Sequence, residues 1–442
     1  MTRRSFLLSA LAAGTRARAA TRPNIVLILA DDFGAECVGA YGGTSYRTPH
    51  LDSLAATGVR FAQAHSTPLC TPTRLQLMTG QLNFRNWKAF GIMDPKEQTF
   101  GHWMRAAGYK TCIAGKWQFW SYNPPDYEPE WRAKGQRIED AGFDDYSVWH
   151  AGHTEDKGSR HGDPTVYEDG VLKKNLRGEF GDDLFCDFAG RFMERNRGRP
   201  FFVYYPMTLT HDPFNPTPKS ASWTTARLKA NTSNFKDMVE YLDSTVGRLV
   251  AKIDALGLRE NTLILFYGDN GTSQSITSRV GSRGVKGGKN LTLDTGTMVP
   301  LIANWKGTSK AGSVSDDLVD STDFVPTIFE AAGVPAPKGV TLDGRSFLPQ
   351  IRGQKGNPRD AIYWWYDPRP GWDKDKFRRV RYSRDKRFKL YEDGRLFEPA
   401  VDPDETQPIA AGSGGSEAES SRRRLGRLMA DMRAKEKAVR RE

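Results

Sequence analysis

The stretch NIVLILA, residues 24–30, is an unbroken apolar run followed directly by Asp31 and Asp32. A short run of this kind indicates a strand that is buried on both faces of a sheet. Comparable runs occur at residues 110–114, 200–206, 262–267 and 299–304, with helical patterns between them. Buried strands that alternate with helices predict an α/β fold, in which helices cover a mostly parallel sheet.

Polar residues lie at the ends of several of these predicted strands. They are Asp31, Asp32, Lys116, His211, Asp269 and Asn270. Ligands of open α/β sheets bind beyond the carboxyl ends of the strands, so we expect these side chains to converge. Carboxylate and carboxamide oxygens suit Ca²⁺ or Mg²⁺ better than zinc. Two consecutive aspartates after a strand can also be turn residues or helix caps. We would prefer that alternative if Asp269 and Asn270 did not follow a second strand.

The segment CTPTRLQLMTG, residues 70–80, predicts a helix that begins at Cys70, with Pro72 in the first turn and Gly80 near the end. Free backbone N–H groups and the helix dipole favour an anion beside Cys70. Arg74, four residues on, lies on the same face and can bind an oxyanion. The other three cysteines are too few and too scattered for a disulfide framework or a zinc site.

The pattern Cys-x-Pro-x-Arg followed by Thr-Gly is similar to the signature of the formylglycine-dependent sulfatases, in which a maturation enzyme oxidises the cysteine. Other segments resemble that family in the expected order and extend the resemblance over residues 22 to about 345. These segments are residues 23–34, Gly115-Lys116-Trp117, His211-Asp212-Pro213, residues 268–271, and Gly287-Gly288-Lys289 before Val299-Pro300. The resemblance implies an alkaline-phosphatase-like α/β/α sandwich with a large, mostly parallel sheet. It also implies a small C-terminal antiparallel sheet, which residues 381–397 fit.

The resemblance further implies a sulfuric ester hydrolase that cleaves sulfate monoesters, with a hydrated aldehyde at residue 70 as nucleophile. A sulfated carbohydrate is the expected substrate class, and Ca²⁺ is expected as cofactor in preference to Mg²⁺. The implied metal ligands are Asp31, Asp32, Cys70, Asp269 and Asn270. The implied catalytic residues are Cys70, Arg74, Lys116, His211 and Lys289, with His211 as the acid for the leaving oxygen.

One departure from the family pattern concerns proton transfer. Sulfatases usually carry a histidine two residues after the lysine of Gly-Lys-Trp, where this chain has Gln118. Glutamine cannot act as a base, so we hypothesise that another group, with His65 as one candidate, takes its place together with water and the metal-bound oxygens. The alternative is slow turnover. Asp294 and Met298 also differ from the usual residues, and we place neither in the site.

Two other functions remain open, and the missing histidine supports only the first of them. One is a non-catalytic protein that binds sulfated glycans. The other is a phosphodiesterase or phosphonate hydrolase of the same superfamily, since some of those enzymes also use formylglycine.

Two loops are candidates for substrate binding because they mix aromatic, basic and histidine side chains. The predicted substrate-binding residues are Arg85, Trp87, Lys88 and His150. The alternative is that these are solvated loops with local hydrogen bonds. For any one of these residues taken alone, that alternative explains the sequence as well as substrate binding does. A metal site formed by His150, His153 and His161 has no carboxylate pattern to support it.

Four regions are predicted along the chain. Residues 1–19 resemble a twin-arginine export signal, because Arg3 and Arg4 precede a short apolar run, so the protein is expected to be periplasmic or extracellular. The alternative is a general secretory (Sec) signal with a chance pair of arginines. Residues 20–345 are the catalytic domain and residues 346–410 a small subdomain. Residues 411–442 are a linker and a solvated basic helix. No later stretch is long and apolar enough to span a bilayer.

The net charge of +11 does not indicate nucleic-acid binding. Nine basic and three acidic residues are concentrated in residues 422–442, which explains much of the excess. An anionic substrate is the simpler reason for positive charge elsewhere.

Overall fold

The computed structural model describes residues 22–440. The export signal predicted for residues 1–19 lies outside them. The strands are β1 (Asn24–Ala30), β2 (Val59–His65), β3 (Lys110–Lys116), β4 (Asp145–Trp149), β5 (Val166–Glu168), β6 (Val171–Lys173), β7 (Phe201–Pro206), β8 (Thr262–Gly268), β9 (Thr277–Val280), β10 (Arg283–Lys286), β11 (Leu301–Asn304), β12 (Ser313–Asp320), β13 (Ile362–Tyr366), β14 (Val380–Arg384), β15 (Lys389–Tyr391) and β16 (Leu396–Phe397). The helices are α1 (Pro49–Thr57), α2 (Cys70–Thr79), α3 (Phe100–Ala106), α4 (Gly181–Arg195), α5 (Trp223–Ala226), α6 (Phe235–Ala255), α7 (Asp294–Thr297), α8 (Phe324–Ala332), α9 (Leu348–Ile351) and α10 (Gly415–Arg440).

A ten-stranded sheet forms the centre of the molecule, in the order β12-β2-β11-β8-β1-β7-β3-β4-β5-β6. Its middle, from β8 to β4, is parallel, and every residue of β1, β7 and β8 is buried. The apolar runs that predicted these strands are therefore confirmed, and so is the mostly parallel sheet. Antiparallel pairing is confined to the two sides, at β11 and at β5 and β6.

Helices cover both faces of this sheet and give the predicted α/β/α sandwich. One face packs against α1, α4 and α6, which contribute Leu54, Phe188 and Leu242 to a buried cluster. The other face packs against α2, α3 and α8, which contribute Leu75, Phe100 and Ile328 to a second cluster. Side chains at successive positions of β1 alternate between the two clusters, as expected for a strand with two buried faces.

Helix α3 begins later than the sequence indicates. Residues 94–97 carry an N-cap, proline and glutamate pattern, yet the N-cap is Thr99, whose side chain accepts from the N–H of Gly101. The ring of His102 completes a capping box by accepting from the N–H of Thr99 at 3.1 Å. His102 is therefore a structural residue.

The small C-terminal sheet consists of β13, β14, β15 and β16 in antiparallel order, as predicted. Helix α10 packs against it, and this corrects the prediction of a solvated tail. The helix begins at Gly415, inside the stretch 411–421 that was predicted as a linker. Its buried Glu436 accepts from Arg381 at 2.7 and 2.8 Å and from Trp365 at 2.7 Å. Among residues 22–440, no helix is long and apolar enough to cross a membrane.

Truncation of Leu425 on α10 should destabilise the protein measurably. Leu425 is fully buried against the small sheet, so Leu425→Ala should cost about 2–5 kcal/mol of unfolding free energy through lost burial and the cavity left behind. Urea unfolding measures the difference. Val439→Ala on the same helix is the matched control, because Val439 is 45 % exposed and should change stability by less than about 0.5 kcal/mol. Equal midpoints for the two variants would restore the solvated-tail interpretation.

Candidate active site

The turns after β1 and β8 lie side by side because these neighbouring strands are parallel and in register, with Ala30 opposite Gly268. Asp31 and Asp32 follow the first strand, and Asp269 and Asn270 follow the second; all four are fully buried. The N–H of Asp32 donates to Asp269 Oδ1 at 3.0 Å, and Asn270 Nδ2 donates to Asp32 Oδ1 at 2.8 Å. The convergence expected from the sequence is therefore present in the structure.

Cys70 is the first residue of α2, as the sequence indicates, and the helix ends at Gly80 with a left-handed φ of 68°. Thr67 fixes the approach to the helix, since its N–H donates to Thr73 Oγ1 at 3.0 Å. The sulfur of Cys70 lies within 4.8 Å of carboxylate oxygens of Asp31 and Asp269. The helix N-terminus, with its free N–H groups, therefore points into the acidic cluster.

Three cations neutralise the three carboxylates. Lys116 Nζ lies 2.8 Å from Asp31, Arg74 lies 2.8 Å from Asp269 and 3.5 Å from Asp31, and Lys289 Nζ lies 2.6 Å from Asp32. Arg74 is on α2, Lys116 ends β3, and Lys289 lies in the loop before α7. Five separate segments of the chain, counting the turns after β1 and β8, thus meet at one point.

The pKa values of the carboxylates reflect this arrangement. Burial acts to raise the pKa of Asp31, but Lys116, His211 and Arg74 overcome it and hold that pKa well below its usual range. Burial and the neighbouring charge of Asp31 raise the pKa of Asp269. Asp31 and Asp269 therefore repel each other although the cluster as a whole is balanced in charge, and a further cation would reduce that repulsion.

His211 lies at the edge of the cluster on the loop that follows β7. Its Nε2 is 3.1 Å from Lys289 Nζ and 3.8 Å from Asp32, and its Nδ1 is 2.6 Å from Asp212 Oδ1. Burial and the charge of Arg160 lower the pKa of His211. The backbone oxygen of His211 contacts His161 Nε2 at 2.8 Å, which fixes the loop.

The structure does not support His65 as a replacement base. Its ring packs edge-on against Trp364, and its charged neighbours are Arg384, Asp294 and Lys389 rather than members of the Cys70 cluster. Asp294 pairs with Arg384 at 2.6 Å, outside the site as predicted. Gln118 is buried with a left-handed φ of 57°, and its N–H donates to the backbone oxygen of His150.

The predicted substrate-binding residues occupy different environments. The guanidinium of Arg85 forms two hydrogen bonds with Asp343, at 2.7 and 2.8 Å, and Trp87 Nε1 donates to a backbone oxygen at 2.7 Å. These two residues thus hold the loop at 83–90 in place. Lys88 is half exposed, and His150 is buried beside the rings of Trp149 and Tyr122. The predicted roles of Lys88 and His150 remain predictions.

The three histidines considered for a second metal site do not form a metal-binding cluster within the described part of the chain. His153 contacts Ser121 at 3.0 Å, and His161 contacts the backbone of His211.

A cavity begins at His211 and is lined by Tyr122, Lys157, Arg160 and Trp372. Lys157 and Arg160 lie in residues 149–163, one of the two loops predicted to bind substrate, although the prediction did not name them. Tyr122 and Trp372 come from loops without a recognisable motif, and sequence reasoning missed them.

Comparison with known proteins identifies the family to which the chain is similar. The sulfatase family profile matches residues 23–334, and a profile for the C-terminal region of N-sulphoglucosamine sulphohydrolase matches residues 288–434. Human arylsulfatase A is 34 % identical over 385 residues, covering 81 % of this chain and 73 % of that protein. N-acetylgalactosamine-6-sulfatase of the dog, Canis lupus familiaris, is 30 % identical, covering 81 % and 72 %.

Two solved structures share the fold. One, in complex with its substrate D-glucosamine-2-N,6-O-disulfate, has a TM-score of 0.72 at 22 % identity and covers 95 % of this chain and 99 % of that one. The other is the phosphonate monoester hydrolase of Agrobacterium radiobacter, with a TM-score of 0.69 at 20 % identity over 94 % and 96 % of the two chains.

The sheet and the helices that cover it give the chain the alkaline-phosphatase-like fold that these structures share. The chain belongs to the sulfatase family, and it is a sulfuric ester hydrolase.

Proposed function

We propose that this sulfatase removes a sulfate group from a sulfated sugar, with a formylglycine made from Cys70 as the nucleophilic residue and Ca²⁺ as the cofactor. The observation that carries the proposal is the position of Cys70. Its sulfur lies at a helix N-terminus beside two carboxylates, one of which, Asp31, pairs with the buried cations Arg74 and Lys116. A sulfate ester held there meets both a nucleophile and positive charge.

The residues present fit a hard divalent cation. Asp31, Asp32, Asp269 and Asn270 offer only oxygen atoms, and Asn270 Oδ1 is buried without a hydrogen-bond partner among residues 22–440. An unpartnered buried acceptor costs free energy unless something binds it. Bound Ca²⁺ would polarise a sulfate oxygen, and Ca²⁺ is preferred over Mg²⁺ because four side chains, three of them carboxylates, supply the many oxygen ligands that Ca²⁺ accepts.

The charge balance of the cluster supports an anionic substrate. Three carboxylates and three cations sum to no net charge in the protein alone. A divalent cation would make the site positive, so an ester anion would be attracted to it. Lys116, Arg74 and Lys289 are then placed to stabilise charge that develops on the sulfate oxygens.

His211 is proposed as the proton donor to the leaving oxygen. It lies at the boundary between the charged cluster and the cavity that receives the rest of the substrate, and the negative charge of the bound ester would offset the burial and the Arg160 charge that lower its pKa in the protein alone. Asp212, 2.6 Å from Nδ1, orients the ring, so that Nε2 faces the cluster. We propose that water or another group near Cys70 serves where Gln118 replaces the usual histidine.

The sugar substrate is proposed because the relatives include an N-acetylgalactosamine-6-sulfatase and a protein of the same fold bound to a disulfated glucosamine. We also propose that a separate maturation enzyme forms the formylglycine. Export through the twin-arginine-like signal at residues 1–19 completes the proposal.

A phosphonate hydrolase remains the second candidate, because one such enzyme shares the fold over 94 % of this chain. Rates with matched aryl sulfate, aryl phosphate and phenylphosphonate esters should favour the sulfate by at least about 100-fold in kcat/KM, roughly 3 kcal/mol of differential transition-state binding. Mass spectrometry of the tryptic peptide 61–74 should show an aldehyde or its hydrate at residue 70. A preference for the phosphonate, with the aldehyde present, would establish the second candidate instead.

A further inference from the structure

A cavity of about 500 Å³ begins where the charged cluster ends. His211 and Asp212 form its border with the cluster, and Lys157, Arg160 and Trp372 line its other walls. Since His211 faces both the cluster and this space, a substrate whose sulfate lies at Cys70 places its alcohol portion in the cavity.

Two cations line this cavity without a carboxylate partner within 4 Å among the described residues. The guanidinium of Arg160 lies 4.0 Å over the ring of Trp149, and its Nη1 is buried with no hydrogen-bond partner in residues 22–440. Lys157 Nζ lies 6.0 Å from the centre of the Tyr122 ring. Asp212, the acid that lines the same cavity, is paired with His211.

Unpaired cations in a partly buried cavity are unusual for this chain. Arg85, Arg359 and Arg381, which are similarly enclosed, each pair with a carboxylate. Burial and the charges of Arg160 and Lys116 lower the pKa of Lys157 to about 8, which reflects positive charge crowded on one wall. Such repulsion is offset when an anion enters.

An aromatic surface lies beside the two cations. Trp372 is 44 % exposed, and its ring centre is 6.3 Å from that of Tyr122. Tryptophan and tyrosine rings offer apolar faces on which a sugar ring can stack, while the cations contact its charged substituents.

We propose that Lys157 and Arg160 form a subsite for a second anionic group, a sulfate or a carboxylate, on the sugar whose sulfate is cleaved. The substrate class is therefore a sugar with at least two negative groups, rather than a simple monosulfate. This inference rests on the proposed function, because it places the cleaved sulfate at Cys70.

The test compares three substrates: a monosulfated hexosamine, the same sugar with a second sulfate, and a monosulfated disaccharide that carries a neighbouring uronic acid. The protein should cleave at least one of the two doubly charged substrates about 10–100-fold more efficiently in kcat/KM than the monosulfate, as expected for one charge-assisted contact. Whichever substrate is preferred identifies the second anion as sulfate or carboxylate.

Arg160→Gln should reduce the preference for the doubly charged substrate about 10–100-fold, mainly through KM. The readout is the ratio of kcat/KM for the doubly charged substrate to kcat/KM for the monosulfate. An effect of the substitution on sulfate cleavage itself, which both substrates undergo, cancels in this ratio. Arg227→Gln is the matched control, because Arg227 pairs with Asp163 at 2.6 Å and does not line the cavity. It should leave the ratio unchanged.

Binding to Cys70→Ala protein, measured by calorimetry with the same sugars, separates the subsite from catalysis. If the doubly charged sugar binds more tightly and this gain depends on Arg160, the subsite is supported. A wild-type protein that releases no sulfate would count against the proposed function alone and would leave this result standing. Equal affinities for the singly and doubly charged sugars, or a preference that survives Arg160→Gln, would overturn the subsite.

Discussion

Replacement of Cys70 with alanine should lower sulfate release at least about 10⁴-fold, because removal of a covalent nucleophile leaves only substrate positioning and electrostatic stabilisation. The change removes one buried sulfur atom at the start of α2, where alanine is well tolerated, so the fold should persist. The measurement is kcat/KM for an aryl sulfate, with protein produced alongside a maturation enzyme.

The matched control for this variant is Cys186→Ala. Cys186 is also buried, but it lies in α4 on the opposite face of the sheet. Its replacement should leave kcat/KM within about threefold, since the side chain only packs in the core. Activity of Cys70→Ala above about 1 % of wild type would mean that the nucleophile lies elsewhere, for example on a water molecule.

The strands that the sequence predicted correctly are those buried on both faces. β1, β7 and β8 read as continuous apolar runs because neither face contacts water. β12, at the edge, was missed because its sequence SVSDDLVD is polar and half exposed in its first part, where its pairing with β2 also shifts register. Composition alone does not distinguish such a strand from a loop.

The site was predictable because its residues occupy strand ends and a helix start, and sheet geometry alone brings such positions together. The pairing of Ala30 with Gly268 is enough to place the two acidic turns in contact. The contacts of His65 and Arg85 were not predictable, because nearness to Cys70 along the chain does not determine where a side chain points. His65 contacts Trp364, almost three hundred residues away in sequence.

The packing of α10 could have been predicted more closely. Leu425, Leu428, Met429 and Met432 recur at spacings of three and four residues, which is the pattern of a helix with one apolar face. The high density of arginine and the preceding Gly/Ser residues concealed this pattern. The cations of the proposed subsite, by contrast, depend on loops whose conformation no local pattern specifies.

Removal of divalent cations should abolish most activity and lower the melting temperature by a few degrees, and Ca²⁺ should restore both better than Mg²⁺. A ligand present at 100 times its Kd stabilises the folded state by about 2.7 kcal/mol, since it binds only the assembled cluster. Without the cation, Asp31 and Asp269 repel each other beside an unpartnered Asn270 oxygen. Differential scanning fluorimetry after chelation and desalting measures the stability change independently of turnover.

Asp269→Asn should remove the Ca²⁺-dependent rise in melting temperature, because the variant keeps the shape of the side chain and loses its charge. Asp182→Asn is the matched control: Asp182 is equally buried, but it bonds to Thr208 Oγ1 at 2.5 Å rather than to the cluster. Burial raises the pKa of Asp182 to about 7, so its carboxyl is partly protonated near neutral pH and an amide replaces it at little cost. The control should respond to Ca²⁺ as the wild type does. A full Ca²⁺ response in Asp269→Asn would mean that the cation does not bind at the turns after β1 and β8. The buried carboxylates of the cluster would then be balanced by the protein's own cations alone.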